Sequence, residues 1–267
     1  MNNKPVTSRE YKLMLNVDRF REREQGTQTF LSLIEFLIQK DGGTILEKQN
    51  QEERRRTSYL DTPELALRQQ GFALRLREEA NAAAGFQLNL KYRSSDRYIS
   101  ATQDLSSSTG KIKFEEDILP PFVSKFSHST SIKTTAKPDV SSIEKLTTLF
   151  PGLKQLTLDG KTAVKTINNF TALEVVRKLC KFQFGEPPII KASLSFWYLK
   201  EDNGDWPLVG EFSFDYDAPD NGARDKLELF PSKAVGGTNR FFRSLQSQSG
   251  WLNLNTTTKT AFALEVL

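Results

Sequence analysis

The stretch GFALRLREEANAAAGFQLNLKYR, residues 71–93, twice alternates apolar with polar or cationic residues: first Leu74, Arg75, Leu76, Arg77, then Leu88, Asn89, Leu90, Lys91, Tyr92, Arg93. Period two marks a strand, because successive side chains point to opposite faces. Each of these strands has a leucine face that needs a core and a cationic face that needs something else. The sorting recurs along the chain. Ser8, Glu10, Lys12, Met14 and Asn16 alternate with Tyr11, Leu13, Leu15 and Val17. Lys111, Lys113, Glu115 and Asp117 share one face of KIKFEEDI, and EFSFDYD turns Glu211, Asp215 and Asp217 one way and Phe212, Phe214 and Tyr216 the other.

Two arrangements satisfy such strands. A flat sheet can pack helices on its apolar side and expose a surface on which Arg meets Glu across strands. Alternatively, the sheet closes into a barrel with its apolar face outward beneath helices, so that the charged faces converge on a wet lumen. The second accounts for all the charge rows together. Clustered Arg and Lys bind phosphate oxygens, and facing carboxylates suit a divalent cation. A polyphosphate with Mg²⁺ or Mn²⁺ would use both sets.

Further strand candidates are RTSYLD, RYISATQDL, LEVVRKLCKFQF, IKASLSFWYLK, LVGEFSFDYD and TTTKTAFALEVL, which gives nine or ten strands, a count typical of a sandwich or barrel. Helices are expected in TQTFLSLIEFLIQKDGG; in TPELALRQQG, capped by Thr62 with Pro63 in the first turn; in SSIEKLTTLFPG, with a capping box from Ser141 to Glu144; and from Thr238 in TNRFFRSLQSQSG. DLSSSTGK and SKFSHSTSIKTTAKPD read as polar, turn-prone loops, and EERRR, residues 52–56, as a solvated strand entry. The expectation is one domain spanning 1–267.

Composition narrows the chemistry. The single cysteine, Cys180, excludes a disulfide within the chain and a Cys-based zinc site. The single histidine, His128, excludes a His cluster and reads as a loop residue. No apolar run approaches a membrane span, so a cytoplasmic protein with no membrane partner is expected. The 37 Lys and Arg against 33 Asp and Glu leave +4, a mild excess that makes an anionic partner plausible; nucleic acid is not expected, because the equally ordered carboxylates would repel its backbone.

Several segments resemble, in order and spacing, the CYTH superfamily, or triphosphate tunnel metalloenzymes. TSYLDTPELALRQQGFALRLRE, residues 57–78, is similar to the family's Tyr-Phe-Asp-Thr-Pro-Asp segment, short helix, Gly and Leu-Arg-x-Arg. LNLKYR resembles its Thr-Leu-Lys strand, KFEED its Arg-x-Glu-x-Glu, VVRKLCKF its later basic strand, EFSFD its Glu-x-Glu-x-Glu, and TTKTAF its late Ser-Lys segment. Two departures stand out: Ser8 and Ser213 take the places of family acids.

The resemblance implies a mainly β, α+β fold: a closed eight-stranded antiparallel barrel with helices packed outside and a triphosphate along its basic lumen. It implies phosphate contacts from Arg75, Arg77, Lys91, Arg93, Lys113, Arg177, Lys181 and Lys259. Catalytic roles would fall to Lys12, on the terminal phosphate, and to Glu115 and Asp117, as candidates for activating water. Glu10, Glu211 and Asp215 would hold Mg²⁺ or Mn²⁺. The activity implied is hydrolysis of inorganic triphosphate or of an organic one such as thiamine triphosphate. The rivals are a polyphosphate- or nucleotide-binding module with a thinned metal site, for which Ser8 and Ser213 argue, and a class IV-type adenylate cyclase.

Overall fold

The computed structural model describes residues 4–79, 85–185, 187–199, 206–219, 230–253 and 258–265. Their alternating segments form β1 (Ser8–Leu15), β2 (Thr44–Lys48), β3 (Glu52–Asp61), β4 (Phe72–Glu79), β5 (Phe86–Ser94), β6 (Lys111–Leu119), β7 (Val123–Thr134), β8 (Lys165–Gln183), β9 (Ile190–Tyr198) and β10 (Val209–Asp217). The helices are α1 (Arg23–Lys40), α2 (Ala66–Gln69), α3 (Arg97–Thr102), α4 (Ile143–Leu149), α5 (Ser232–Gln246) and α6 (Lys259–Glu265). None of the described helices is long and apolar enough to cross a membrane.

Nine strands close a ring in the order β8-β3-β4-β5-β7-β6-β1-β10-β9, with β9 pairing back onto β8; β2 extends the sheet from β8. The closed, mainly β barrel with helices outside is as expected, but it has nine ring strands rather than eight, and it is not wholly antiparallel. β1 runs parallel to β6. No hairpin joins those two strands, so nothing local forces them to oppose.

The apolar faces point outward. Tyr11, Leu13, Phe196, Phe212 and Phe214 pack beneath α1 and α5, against Phe30, Ile34, Phe241 and Phe242. Leu74, Leu76, Leu88 and Leu90 of the β4–β5 hairpin pack beneath Leu67 of α2 and Ile143 and Leu146 of α4. At about 1.5–3 kcal/mol per fully buried aliphatic or aromatic side chain, these two outer layers hold the ring closed. A third cluster, Met14, Tyr59, Trp197 and Val209 with Ala263, fills one end of the barrel, where Thr260 of α6 hydrogen-bonds the Tyr59 hydroxyl at 2.8 Å.

Several sequence expectations fail locally. α4 is capped by Ser142, which accepts from the Lys145 N–H, rather than by Ser141, and α5 begins at Ser232, ahead of Thr238. RYISATQDL contains a helix, α3, because the Asp96 side chain accepts from the backbone N–H groups of Tyr98 and Ile99 and caps it. The described part of TTTKTAFALEVL is α6, also helical. SKFSHSTSIK is not a loop but the body of β7, paired on both sides with β5 and β6. Its Ser127, Ser129 and Ser131 alternate with Phe126, His128, Thr130 and Ile132, a period-two pattern that the turn-prone composition conceals. His128 is therefore buried, edge-on to Phe114, and burial, with Lys4 second, pushes its imidazole down to about 4.

Candidate functional site

The inward faces of the ring enclose a cavity of about 730 Å³. Ten Lys and Arg side chains line it against five Asp and Glu among the described residues. In the ring order β4 lies opposite the seam between β1 and β10. Arg75 and Arg77 therefore look across the cavity toward Glu10 and Asp215.

Each cationic strand owes its placement to the leucines behind it. Leu74 and Leu76 are sunk in the outer core, which fixes the phase of β4 and turns Arg75 and Arg77 inward; Leu88 and Leu90 do the same for Lys91 on β5. The Asp-Thr-Pro segment has a structural part in this. The Asp61 carboxylate accepts from the N–H groups of Thr62, Leu67 and Arg68, fastening α2 just before β4 begins.

Two fully buried carboxylates in the wall hold most of the cations. Asp117 on β6 receives Lys12 Nζ at 2.7 Å and Arg93 Nη2 at 2.7 Å, with Ser127 donating as well. Burial would raise the Asp117 carboxyl, but Lys12, Lys91 and Arg93 outweigh it and hold it well below the usual range. Glu174 on β8 receives Arg55 Nε at 2.7 Å and Lys259 Nζ at 2.8 Å, and Arg77 Nε lies 3.3 Å away. Burial is again overcome, by Lys259, Arg77 and Arg55, and that carboxyl too sits well below its ordinary value. Glu115 pairs with Lys113 at 2.8 Å and Lys91 at 3.4 Å; these cations overcome burial and bring it to about 2.

Arg75 is different in having no carboxylate partner among the described residues; its buried Nε has no hydrogen-bond acceptor, nor has that of Arg77, whose contact with Glu174 is an ion pair without a hydrogen bond. Its charge also presses on its neighbour. Burial first, and Arg75 second, push the Arg77 guanidinium down to about 9. Buried cations so arranged call for an anion.

The opposite wall carries the complementary deficit. Glu10 and Asp215 are direct partners across β1 and β10. Glu10 has Lys12 at 2.8 Å and Glu211 has Lys259 at 3.1 Å, whereas no ion pair to Asp215 occurs among the described residues. Burial, then the charge of Glu10, raises the Asp215 carboxyl to about 7. Among the described residues no three carboxylate, imidazole or thiol groups converge on one point as metal ligands would. The donor set therefore does not make a cage supplied by the protein alone. It does fit an ion held by one or two carboxylates and completed by phosphate oxygens, the usual habit of Mg²⁺.

Of the residues singled out from the sequence, Arg75, Arg77, Lys91, Arg93, Lys113, Lys259, Lys12, Glu115, Glu10, Glu211 and Asp215 all line this cavity. Asp117 lies behind its wall. Arg177 and Lys181 are elsewhere: Arg177 binds Glu24 and Asn50 on the outer side, and Lys181 pairs with Glu47 of β2 at 2.7 Å. In β8 it is Glu174 and Val176 that alternate inward, so Arg177 falls on the face of Val175 and Leu179. A one-residue difference in phase exchanges the faces completely. Ser213 lines the cavity beside Ser193, but Ser8 is buried beneath it with its hydroxyl donating to Glu115 at 3.2 Å.

Sequence reasoning missed Arg55 and Glu174. Arg55 was legible by extending the alternation of Tyr59 and Thr57 backward into EERRR; Glu174 was hidden by the wrong phase for β8. Trp197 is buried on the inner face at the filled end.

No protein-family model matches the chain, and no curated protein does. Among solved structures it is similar to an adenylyl cyclase candidate from Hippeastrum described as having a dominant triphosphatase activity, at 11% identity over 97% of this chain and 95% of that one, TM-score 0.49. It is also similar to an adenylate cyclase candidate from Bacillus halodurans, at 14% identity over 97% and 98%, TM-score 0.44, and to a Pyrococcus horikoshii protein, at 14% identity over 89% of each chain, TM-score 0.40. With each of these TM-scores below 0.5, the likenesses carry no weight in assigning a function.

Proposed function

We propose that this chain is a metal-dependent triphosphatase of the triphosphate tunnel type, with inorganic triphosphate as its substrate. The observation that carries the reading is the pair of opposed deficits: among the described residues Arg75 on one wall and Asp215 on the other are each in no ion pair. A phosphate chain accompanied by a divalent cation satisfies both. The lining also favours an inorganic substrate. Tyr59, toward the filled end, is the one aromatic side chain on the described lining, which leaves no platform to stack a nucleobase, as a cyclase would need.

In this reading the β4–β5 wall binds the substrate. Arg75 and Arg77 offer guanidinium forks to phosphate oxygens, and Lys91 and Arg93 continue the row. Lys12 and Lys259 reach in from the opposite side and from α6 toward the terminal phosphates. Glu10 and Asp215 would hold Mg²⁺ or Mn²⁺, and such an ion neutralises charge on the phosphates. Asp117 and Glu115, occupied by ion pairs and strongly acidic, are poor proton acceptors at neutral pH; they serve by fixing Lys12, Arg93, Lys91 and Lys113. Because phosphoryl transfer spreads charge over the terminal oxygens, cations fixed in this way supply most of what the reaction requires.

Purified protein is expected to release phosphate from inorganic triphosphate when Mg²⁺ or Mn²⁺ is added. Binding of inorganic triphosphate with no metal-dependent release would replace this reading with that of a binding module.

A further inference from the structure

Glu174 gathers side chains from four elements of the cavity wall onto one carboxylate. Its Oε2 receives Arg55 Nε at 2.7 Å and the Thr57 hydroxyl at 2.9 Å, with Arg77 Nε at 3.3 Å; its Oε1 receives Lys259 Nζ at 2.8 Å and the Ser195 hydroxyl at 2.9 Å. These partners come from β3, β4, α6 and β9. With both oxygens so engaged and the side chain fully buried, Glu174 has no capacity left to ligate an ion or take a proton.

The geometry of those contacts matters. Both arginines face Glu174 through Nε, the nitrogen nearest the main chain. Among the described residues this leaves their terminal Nη groups uncommitted, and these groups form the fork that grips a phosphate. A buried ion cluster that served only to brace the barrel would have no need to keep those donors open. The carboxylate is itself held rigidly: Leu173 and Val175 on either side are sunk in the outer core, and Arg55 is its direct partner across β3 and β8.

We infer that Glu174 is a positioning residue of the triphosphate site, fixing Arg55 and Arg77 so that their free Nη donors converge on one phosphate position, while Lys259, held by Glu174, Ser195 and Glu211, braces it from α6. Arg55 thereby joins the binding wall. The inference rests on the triphosphatase reading for its kinetic consequence, but not for its effect on binding.

Glu174→Gln keeps the shape and removes the charge. It should lower kcat for inorganic triphosphate about tenfold or more, since the cations lose their alignment. KM should not rise, because the carboxylate that repelled the substrate is gone. Calorimetric binding of inorganic triphosphate should become more salt-sensitive than in the wild type, since the cavity gains a net positive charge. A kcat within about twofold of wild type, or a KM that rises as kcat falls, would overturn the inference. If the wild type binds inorganic triphosphate without releasing phosphate, the triphosphatase reading fails on its own, and unchanged salt sensitivity in the Gln variant then still overturns the role of Glu174. Should that variant not fold, Thr57→Val removes one hydrogen bond to Glu174 from a buried position outside the cavity lining. It should cut kcat about threefold at unchanged KM, and wild-type kcat would count against the inference.

Discussion

The two long walls of the cavity manage charge in opposite ways. On the β3–β5 side most cavity-lining cations are held from behind by carboxylates borrowed from other strands, Asp117 from β6 and Glu174 from β8, and among the described residues Arg75 is left without one. On the β1–β10 side Glu10 is held by Lys12 of its own strand and Glu211 by Lys259 of α6, and Asp215 is in no ion pair among the described residues. The basic wall is thus assembled before any ligand arrives, at the desolvation cost of two fully buried acids. The acidic wall is left strained by like charge, and a cation relieves it. The difference separates groups that shape the site from groups that await a ligand, and each can be tested.

The largest effect should come from removing a shaping group. Asp117→Asn leaves Arg93 without its counter-ion and Lys12 with Glu10 alone, and should cost about 3–5 kcal/mol of stability in urea titrations; wild-type stability would break the distinction. The same logic sets an acid limit. The carboxyls of Asp117 and Glu174 lie below their unfolded values, so the stability they supply is complete above about pH 5 and is lost as pH falls through the carboxylate range.

Arg75, a waiting group, should behave inversely. Arg75→Gln is expected to reduce kcat/KM for inorganic triphosphate about a hundredfold while thermal stability holds or rises slightly, because an unpaired guanidinium that repels Arg77 disappears. A large loss of stability would place Arg75 among the shaping groups.

Asp215 sharpens the contrast through pH. Its carboxyl is raised to about 7, so the folded state holds a proton there that the unfolded chain has released, and stability falls as pH rises from about 4 to 7. Asp215→Asn abolishes that loss. It should stabilise the protein by about 1–2 kcal/mol at pH 8 and by less at pH 5, a figure reduced for the partial solvent exposure of the site. An equal gain at both pH values would mean that burial and Glu10 do not raise the Asp215 carboxyl.

The smallest effect is expected at Arg177, whose partner Glu24 is largely exposed on α1. Arg177→Gln should leave kcat/KM within about twofold and cost at most about 1 kcal/mol. A larger kinetic effect would return Arg177 to the binding wall.

How much was legible depended on whether a strand's alternation survives in its composition. In β4 and β5 leucine against Arg, Asn or Lys leaves one reading, and the lumen places of Arg75, Arg77, Lys91 and Arg93 followed from it. In β7 serine hides the alternation, and a strand passed for a loop. In β8 Val175 and Val176 are adjacent and apolar, so the phase is ambiguous; Arg177 was placed inside and Glu174 overlooked. The helices α3 and α6 depended on end contacts and on packing over the barrel mouth, to which a short alternating run is blind.

The sequence by itself determined that apolar and charged faces are segregated strand by strand, and with that a closed barrel around a polar lumen, since period-two patterning is local. Only the tertiary structure decided which charges meet. The pairing of Arg55 and Arg77 with Glu174, and of Arg93 with Asp117, joins residues far apart in the chain. It depends on ring order and register, and these are set by how nine strands close together rather than by any one of them.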